Sequence, residues 1–230
     1  MTTRNKELYD TFQLFYDNVS SQQAPGLTLE EISIYLSDAQ NELVRTLYES
    51  YEYDERSRKA IVPLVNSLIV TPSVVSLEKI AEESVFYKLP TITDDMGEEK
   101  NAVLYVIYEV LRRRGSVGRC KMQKDVLLQP IAHDDFYNVY RNPFRYNERR
   151  GLRLDIGGAG DIYAEVVCKS QGDYFVRYVE RPTPIILTEG TVADYAIDGF
   201  NQEREPVLDQ IYDNVIVQAA ATKAYQHYKS

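Results

Sequence analysis

Residues 152–179 read LRLDIGGAGDIYAEVVCKSQGDYFVRYV. Three runs within this stretch, residues 152–156, 162–169 and 174–179, carry the β-branched and aromatic residues that suit a pleated, half-buried surface. Gly157-Gly158-Ala159-Gly160-Asp161 and Ser170-Gln171-Gly172-Asp173 separate them. Both separators read as hairpin turns, with glycine placed where positive φ is needed. Upstream, residues 102–111 (AVLYVIYEVL) have the same strand character, and residues 121–128 read as another strand. Residues 134–145 (DDFYNVYRNPFR) are polar and aromatic, with Asn142-Pro143 as a breaker. Downstream, Arg181-Pro182-Thr183-Pro184 bends the chain and residues 185–187 continue as strand.

Helical periodicity flanks this β-rich centre on both sides. Leu8, Phe12, Phe15 and Val19 form one apolar stripe over residues 4–20, before Gln22, Gln23, Pro25 and Gly26 break it. Thr28-Leu29-Glu30-Glu31 is a capping box: the Thr28 hydroxyl can accept the Glu31 amide while Glu31 reaches back. Behind it Ile32, Leu36, Ala39, Leu43 and Leu47 predict a long amphipathic helix over residues 29–57. A second helix is expected over residues 58–69, with Pro63 near its first turn, and residues 74–90 fit helix or strand. At the far end Leu208, Ile211, Val215, Ala219 and Thr222 step by three and four, and Ala219, Ala220, Ala221 and Ala224 make that helix slim. The order predicts an α+β chain. Residues 1–89 and 203–230 would form a helical bundle from the N-terminal helices and the C-terminal helix, and residues 90–202 an inserted antiparallel β-rich domain.

The bulk numbers limit the function. With 230 residues, 44% hydrophobic and 27% charged, the chain can bury a real core. A net charge of −9 repels a nucleic-acid backbone unless a local basic patch intervenes. No stretch approaches the ~20 apolar residues that span a bilayer, so no membrane is expected. Cys120 and Cys168 give no disulfide framework and read as small apolar residues in or beside strands of a protein made in a reducing cytosol. Nineteen Tyr and no Trp suit surfaces that become partly buried in contacts.

Candidate chemistry is sparse. His133-Asp134-Asp135 is the best metal candidate, but consecutive residues of an extended segment point opposite ways and no second His or Cys cluster supports it. The 157–161 glycine run lacks the Lys and the following helix of a phosphate cradle. Asp94-Asp95, Glu98-Glu99 and Glu82-Glu83 read as solvated charge runs, and His227 as a surface residue. Arg112-Arg113-Arg114-Gly115, with Arg119 and Lys121, reads as the one basic cluster; subunit contact, DNA contact and plain solvation all fit it. No catalytic residue, cofactor motif or metal site is expected.

Three stretches resemble the head-to-tail connector proteins of podovirus-like tailed phages, most closely the ring proteins of crAss-like phages. They are Leu27-Thr28-Leu29-Glu30-Glu31-Ile32 running into the helix 35–44, the bend Val176-Arg177-Tyr178-Val179-Glu180-Arg181-Pro182-Thr183-Pro184-Ile185-Ile186-Leu187, and the last helix with Ile211, Ile216, Val217 and Ala220. The resemblance implies a non-enzymatic virion protein of the neck, in a ring of twelve copies. Such a ring would join the capsid portal to the tail beside further neck and tail ring proteins, while genomic DNA passes through without specific binding. It implies a helical part that lines or braces the ring. Some connectors end in a portal-gripping arm, whereas this chain stops at Lys229-Ser230, so docking through a loop or a second-tier position is expected. A ring subunit needs two different side faces. Tyr35, Arg45, Tyr48, Arg112, Arg113, Arg114, Tyr212, Tyr225 and Tyr228 are the expected contact residues. A tail adaptor or scaffold module would share this composition, and a hydrolase would have only His133 and Asp135 to work with.

Overall fold

A computed structural model of the chain describes residues 1–20, 26–113, 125–158 and 161–229. Among these, the helices are α1 Thr3–Ser20, α2 Leu29–Glu49, α3 Glu55–Ile61, α4 Phe136–Tyr140 and α5 Asp213–Lys229. The strands are β1 Val65–Val70, β2 Ser84–Lys88, β3 Thr91–Thr93, β4 Glu99–Asn101, β5 Val103–Arg113, β6 Val126–Pro130, β7 Arg150–Gly158, β8 Asp161–Val167, β9 Gly172–Glu180, β10 Val192–Ile197 and β11 Phe200–Gln202. The class is α+β. Two units emerge: Met1–Leu64 with Thr93–Glu98 and Pro182–Ser230, and Val65–Ile92 with Glu99–Arg181.

In the first unit α1 and α2 both pack on α5. The Thr28 capping box forms as the sequence predicts: Thr28 Oγ1 accepts the Glu31 amide at 3.3 Å and Glu31 accepts the Thr28 amide at 2.8 Å. The helix α2 ends at Glu49 rather than near Ser57. Ser50 turns its hydroxyl back onto the carbonyls of Thr46 and Leu47, and Asp54 then caps α3 through the amides of Arg56 and Ser57. The α5 helix begins at Asp213, and its buried face is Ile216, Val217, Ala220, Ala221 and Ala224. The expected stripe is therefore rotated, leaving Ile211 75% and Val215 48% exposed. Arg4 grips the Asp213 carboxylate with two nitrogens at 2.7 and 3.0 Å and donates to the carbonyls of Pro206 and Leu208. The small β10–β11 hairpin turns at Asp198 and Gly199, both at positive φ, the geometry that a two-residue Asp-Gly loop favours.

The second unit is a seven-stranded sheet in the order β1-β9-β5-β6-β7-β8-β2. It is mixed rather than purely antiparallel, because β6 and β7 run parallel. Residues 131–149 between them exceed the dozen or so that a parallel crossover requires. The strand β1 arises from residues expected to be helical. Pro63 ends α3 in a short 3-10 turn, and the β-branched VNSLIV that follows pairs with β9. The open stretch 74–90 supplies β2, which pairs with β8. The expected β8–β9 hairpin does not form: β8 lies beside β7 and β2, and β9 beside β1 and β5. Among the described glycines positive φ occurs at Gly97 and Gly199, not in either predicted separator.

The sheet's core includes Tyr87, Leu111, Val126, Val166, Tyr174 and Val176, with Cys168 buried among them. Cys120 lies outside the described residues. A buried ion pair crosses this core. Arg153 Nε lies 2.9 Å from Glu109 Oε2, which also accepts the Tyr174 hydroxyl at 2.7 Å. Burial pushes the Glu109 carboxyl up despite Arg153 and Tyr174.

Candidate subunit-contact surfaces

The sequence fragment PTPIIL is assembled on α2. Pro182 and Pro184 cannot donate to a strand ladder, and Ile185, Ile186 and Leu187 are fully buried. Ile186 pairs with Arg204 through a single antiparallel bridge, and the backbone groups on either side of it need other partners. Ser33, Ser37 and Gln40, spaced by four and three, share one face of α2 and supply them. Ser37 Oγ accepts the Ile185 amide at 2.9 Å, and Ser33 Oγ accepts the Leu187 amide at 3.0 Å. Gln40 donates to the Thr183 carbonyl at 3.0 Å and accepts the Val207 amide at 2.9 Å. Tyr195 closes the ladder by donating to the Leu187 carbonyl at 2.6 Å. The apolar stripe of α2 was legible in the sequence; these polar residues beside it were not.

The expected contact residues fall into separate groups. Tyr35 is half-buried, and its hydroxyl meets His227 Nδ1 at 2.8 Å, bridging α2 and α5 within the chain. Burial, then Glu31 and Asp38, push the Tyr35 phenol up. Tyr225 packs under the Lys229 ammonium at 4.7 Å, and Tyr228 is half-exposed. Arg45 is exposed; Tyr48 is half-buried and stacks on Tyr51 at 6.0 Å; Tyr212 is half-buried in the turn before α5. In the other unit Arg112 is exposed at the end of β5, its guanidinium 4.2 Å above the Phe175 ring. Arg113 is the last residue of β5, and Arg114, Arg119 and Lys121 lie outside the described residues.

The candidate chemical groups have ordinary structural settings. His133, Asp134 and Asp135 are exposed, with His133 Nε2 3.0 Å from the Asp155 carbonyl. Among the described residues no three His, Cys, Asp or Glu side chains form a group fit to hold a metal. Several carboxylates read as solvated are in fact engaged: Asp94 is buried and accepts the amides of Met96 and Glu98, and Glu99 pairs with Lys88 at 2.7 Å. Glu83 Oε1 accepts the hydroxyls of Tyr140 and Tyr146, each at 2.8 Å. Asp95 accepts the amides of Asn201 and Gln202 and pairs with Arg204 at 2.6 Å. No described helix is long and apolar enough to cross a membrane.

A sequence model of the family described as phage tail ring protein 3/4 matches residues 1–230. The chain belongs to this family. Among its curated relatives, ring protein 3 of Bacteroides phage crAss001 is 29% identical over 96% of this chain and 94% of its own length. Ring protein 4/5 of the same phage is 27% identical over 97% of the chain and 92% of its own length. The likeness to crAss-like ring proteins carried by residues 27–44, 176–187 and the last helix thus extends over nearly the whole chain. The family assigns this protein a structural role in the phage tail or neck, and hence a place in the virion.

Two surfaces of this ring protein escaped the sequence reading. Residues 141–150 hold Arg141, Arg145, Arg149 and Arg150 against one acid, Glu148, so the 112–114 run is not the only basic cluster. The four arginines are exposed and make no ion pair among the described residues. Phe144 beside them is 83% exposed and Tyr137 62%. Arg141, Arg145 and Arg149 step by four as on a helix face, but Asn142-Pro143 breaks the segment, so the period gave no sign of a shared surface. The second surface is the groove between α1 and the start of α5, a cavity of about 270 Å³ lined by Glu7, Leu8, Thr11, Gln210, Asp213, Asn214 and Val217.

Proposed function

We propose that the chain forms a closed ring of twelve copies in the phage neck, joining the capsid portal to the tail and continuing the channel for genomic DNA. The observation that carries this reading is likeness to two ring proteins of one phage over nearly the full length of all three chains. A ring closes by rotation when each subunit offers two different side faces. Arg45, Tyr212 and Tyr228, which reach the surface, belong to those faces in this reading. The net charge of −9 favours a channel along which DNA slides without specific binding. The partners are further copies of the chain, the portal protein and other neck and tail ring proteins, assembled in the host bacterial cytoplasm. No chemistry is asked of any residue.

Native mass spectrometry of the chain, alone and with its portal protein, tests this. A closed twelve-copy species, or a discrete complex with portal, is the expected result. A chain that stays monomeric in both samples overturns the reading.

A further inference from the structure

Residues 131–149 form the crossover between the parallel strands β6 and β7, and the inner side of that crossover is locked. Phe136, Val139 and Tyr146 are buried against Leu152, Leu154 and Val167. Tyr140 stacks on Phe136 at 5.1 Å and on Tyr146 at 4.9 Å, and both tyrosine hydroxyls hold Glu83. Asn142 and Asn147 fix the turns by accepting the amides of Phe144 and Arg149. A rigid backbone therefore presents Phe144, Arg145 and Arg149 to the outside. Exposed aromatics and arginines on a fixed frame lose little entropy on contact and dominate protein interfaces. No lysine occurs in residues 131–150; arginine is the cation that forks onto carboxylates and stacks on apolar surface.

The chain carries a matching surface. Residues 7–18 of α1 contain Glu7, Asp10 and Asp17 and no basic residue, and residues 205–218 contain Glu205, Asp209 and Asp213 and none either. The groove between them is concave, and the two charged side chains that line it, Glu7 and Asp213, are both acidic. Asp213 is taken by Arg4, but Glu7 and Asp209 are exposed and make no ion pair among the described residues. The groove is flanked by Ile211 and Val215, the exposed part of the stripe that α5 turns away from its own core.

We infer that the arginine and phenylalanine crossover of one subunit docks in the acidic α1–α5 groove of a second copy of this chain. The inference rests on the ring reading above and assigns two side faces of the subunit. The two surfaces are different, as a head-to-tail contact requires, and are opposite in charge. A nucleic acid fits the arginines less well, because a chain of net charge −9 repels phosphate and the crossover displays Phe144 among its cations.

Substitutions that invert the charge balance of each face, separately and then together, test the contact. One variant carries Arg145→Glu with Arg149→Glu; the other carries Glu7→Arg with Asn214→Arg. All four side chains are exposed, and circular dichroism confirms that each variant keeps its fold. Native mass spectrometry of wild type should show rings, and each variant alone should need about 10- to 100-fold more protein to assemble. An equimolar mixture should recover rings in which the two variants alternate, since every contact is then complementary again. Variants that assemble like wild type overturn this contact while the ring stands. So does a mixture that fails to recover. If patch reversal spares assembly but abolishes retention of short duplex DNA, the crossover is a DNA face and the inference is wrong. A wild type that stays monomeric even with portal removes the ring reading itself.

Discussion

Gln40→Leu should be among the most damaging single changes on α2, although leucine suits a helix and nearly matches glutamine in volume. Gln40 is 1% exposed and serves two backbone groups at once, the Thr183 carbonyl and the Val207 amide. Leucine fills the space and satisfies neither. Each buried group left without a partner costs about 1–3 kcal/mol, so for two groups the expected loss is about 2–6 kcal/mol. Against a typical total of about 5–15 kcal/mol this is a large fraction. Urea unfolding followed by circular dichroism would measure it, with wild type and variant at one fixed protein concentration because assembly shifts apparent stability. A loss below about 1 kcal/mol would refute the reasoning, since it would mean that the 182–187 segment does not depend on the α2 ladder for its backbone partners.

Three further outcomes follow from the same kind of argument. Burial alone would push the Asp95 carboxyl up, but the amides of Gln202 and Asn201 and the Arg204 guanidinium reverse this and hold it below the usual carboxylate range. Its folded form binds the proton more weakly than the unfolded form, so its stabilisation is complete above about pH 4 and fades as pH falls further; thermal melts of Asp95→Asn between about pH 5 and 2 should decline less steeply than wild type. Glu109→Ala should cost about 3–5 kcal/mol by leaving Arg153 buried without its main partner, while Glu109→Leu combined with Arg153→Met should recover most of that loss in the same unfolding assay. Gly151→Ala should cost about 1–3 kcal/mol, because a Cβ there would stand 2.7 Å from Leu128 Cδ2 and 3.1 Å from the Val167 carbonyl; unchanged stability would show that β6 and β7 separate easily.

Local signals in the sequence were reliable where the interaction is local. The Thr28 capping box joins residues three apart, and its geometry is closed by the helix it starts. The stripe Ile32, Leu36 and Ala39 is buried because a 3.6-residue period places those positions on one side whatever lies opposite. The alanines of α5 likewise let neighbouring helices approach. Breaks were harder to see. Ser50 and Asp54 divide what looked like one helix, and Pro63 stops a periodic run that then becomes an edge strand.

The sequence by itself determined the class of the fold, the main strand and helix formers, the poverty of chemical motifs and the likeness to ring proteins. Only the tertiary structure decided which strands are neighbours. β8 and β9 are consecutive and separated by a turn-like segment, yet they pair with β2 and β7, and with β1 and β5. It also decided which face of α5 is buried, since Ile211 and Val215 fit the period as well as Ile216 and Val217 do, and packing of α1 and α2 chose the latter. The same holds for polar side chains. Gln40, Glu83 and Asp95 look like ordinary surface residues, and what distinguishes them is a partner far along the chain. A side chain's period and propensity are properties of its near neighbours in sequence. Its hydrogen-bond partner and its exposure are set by whichever distant segment closes over it.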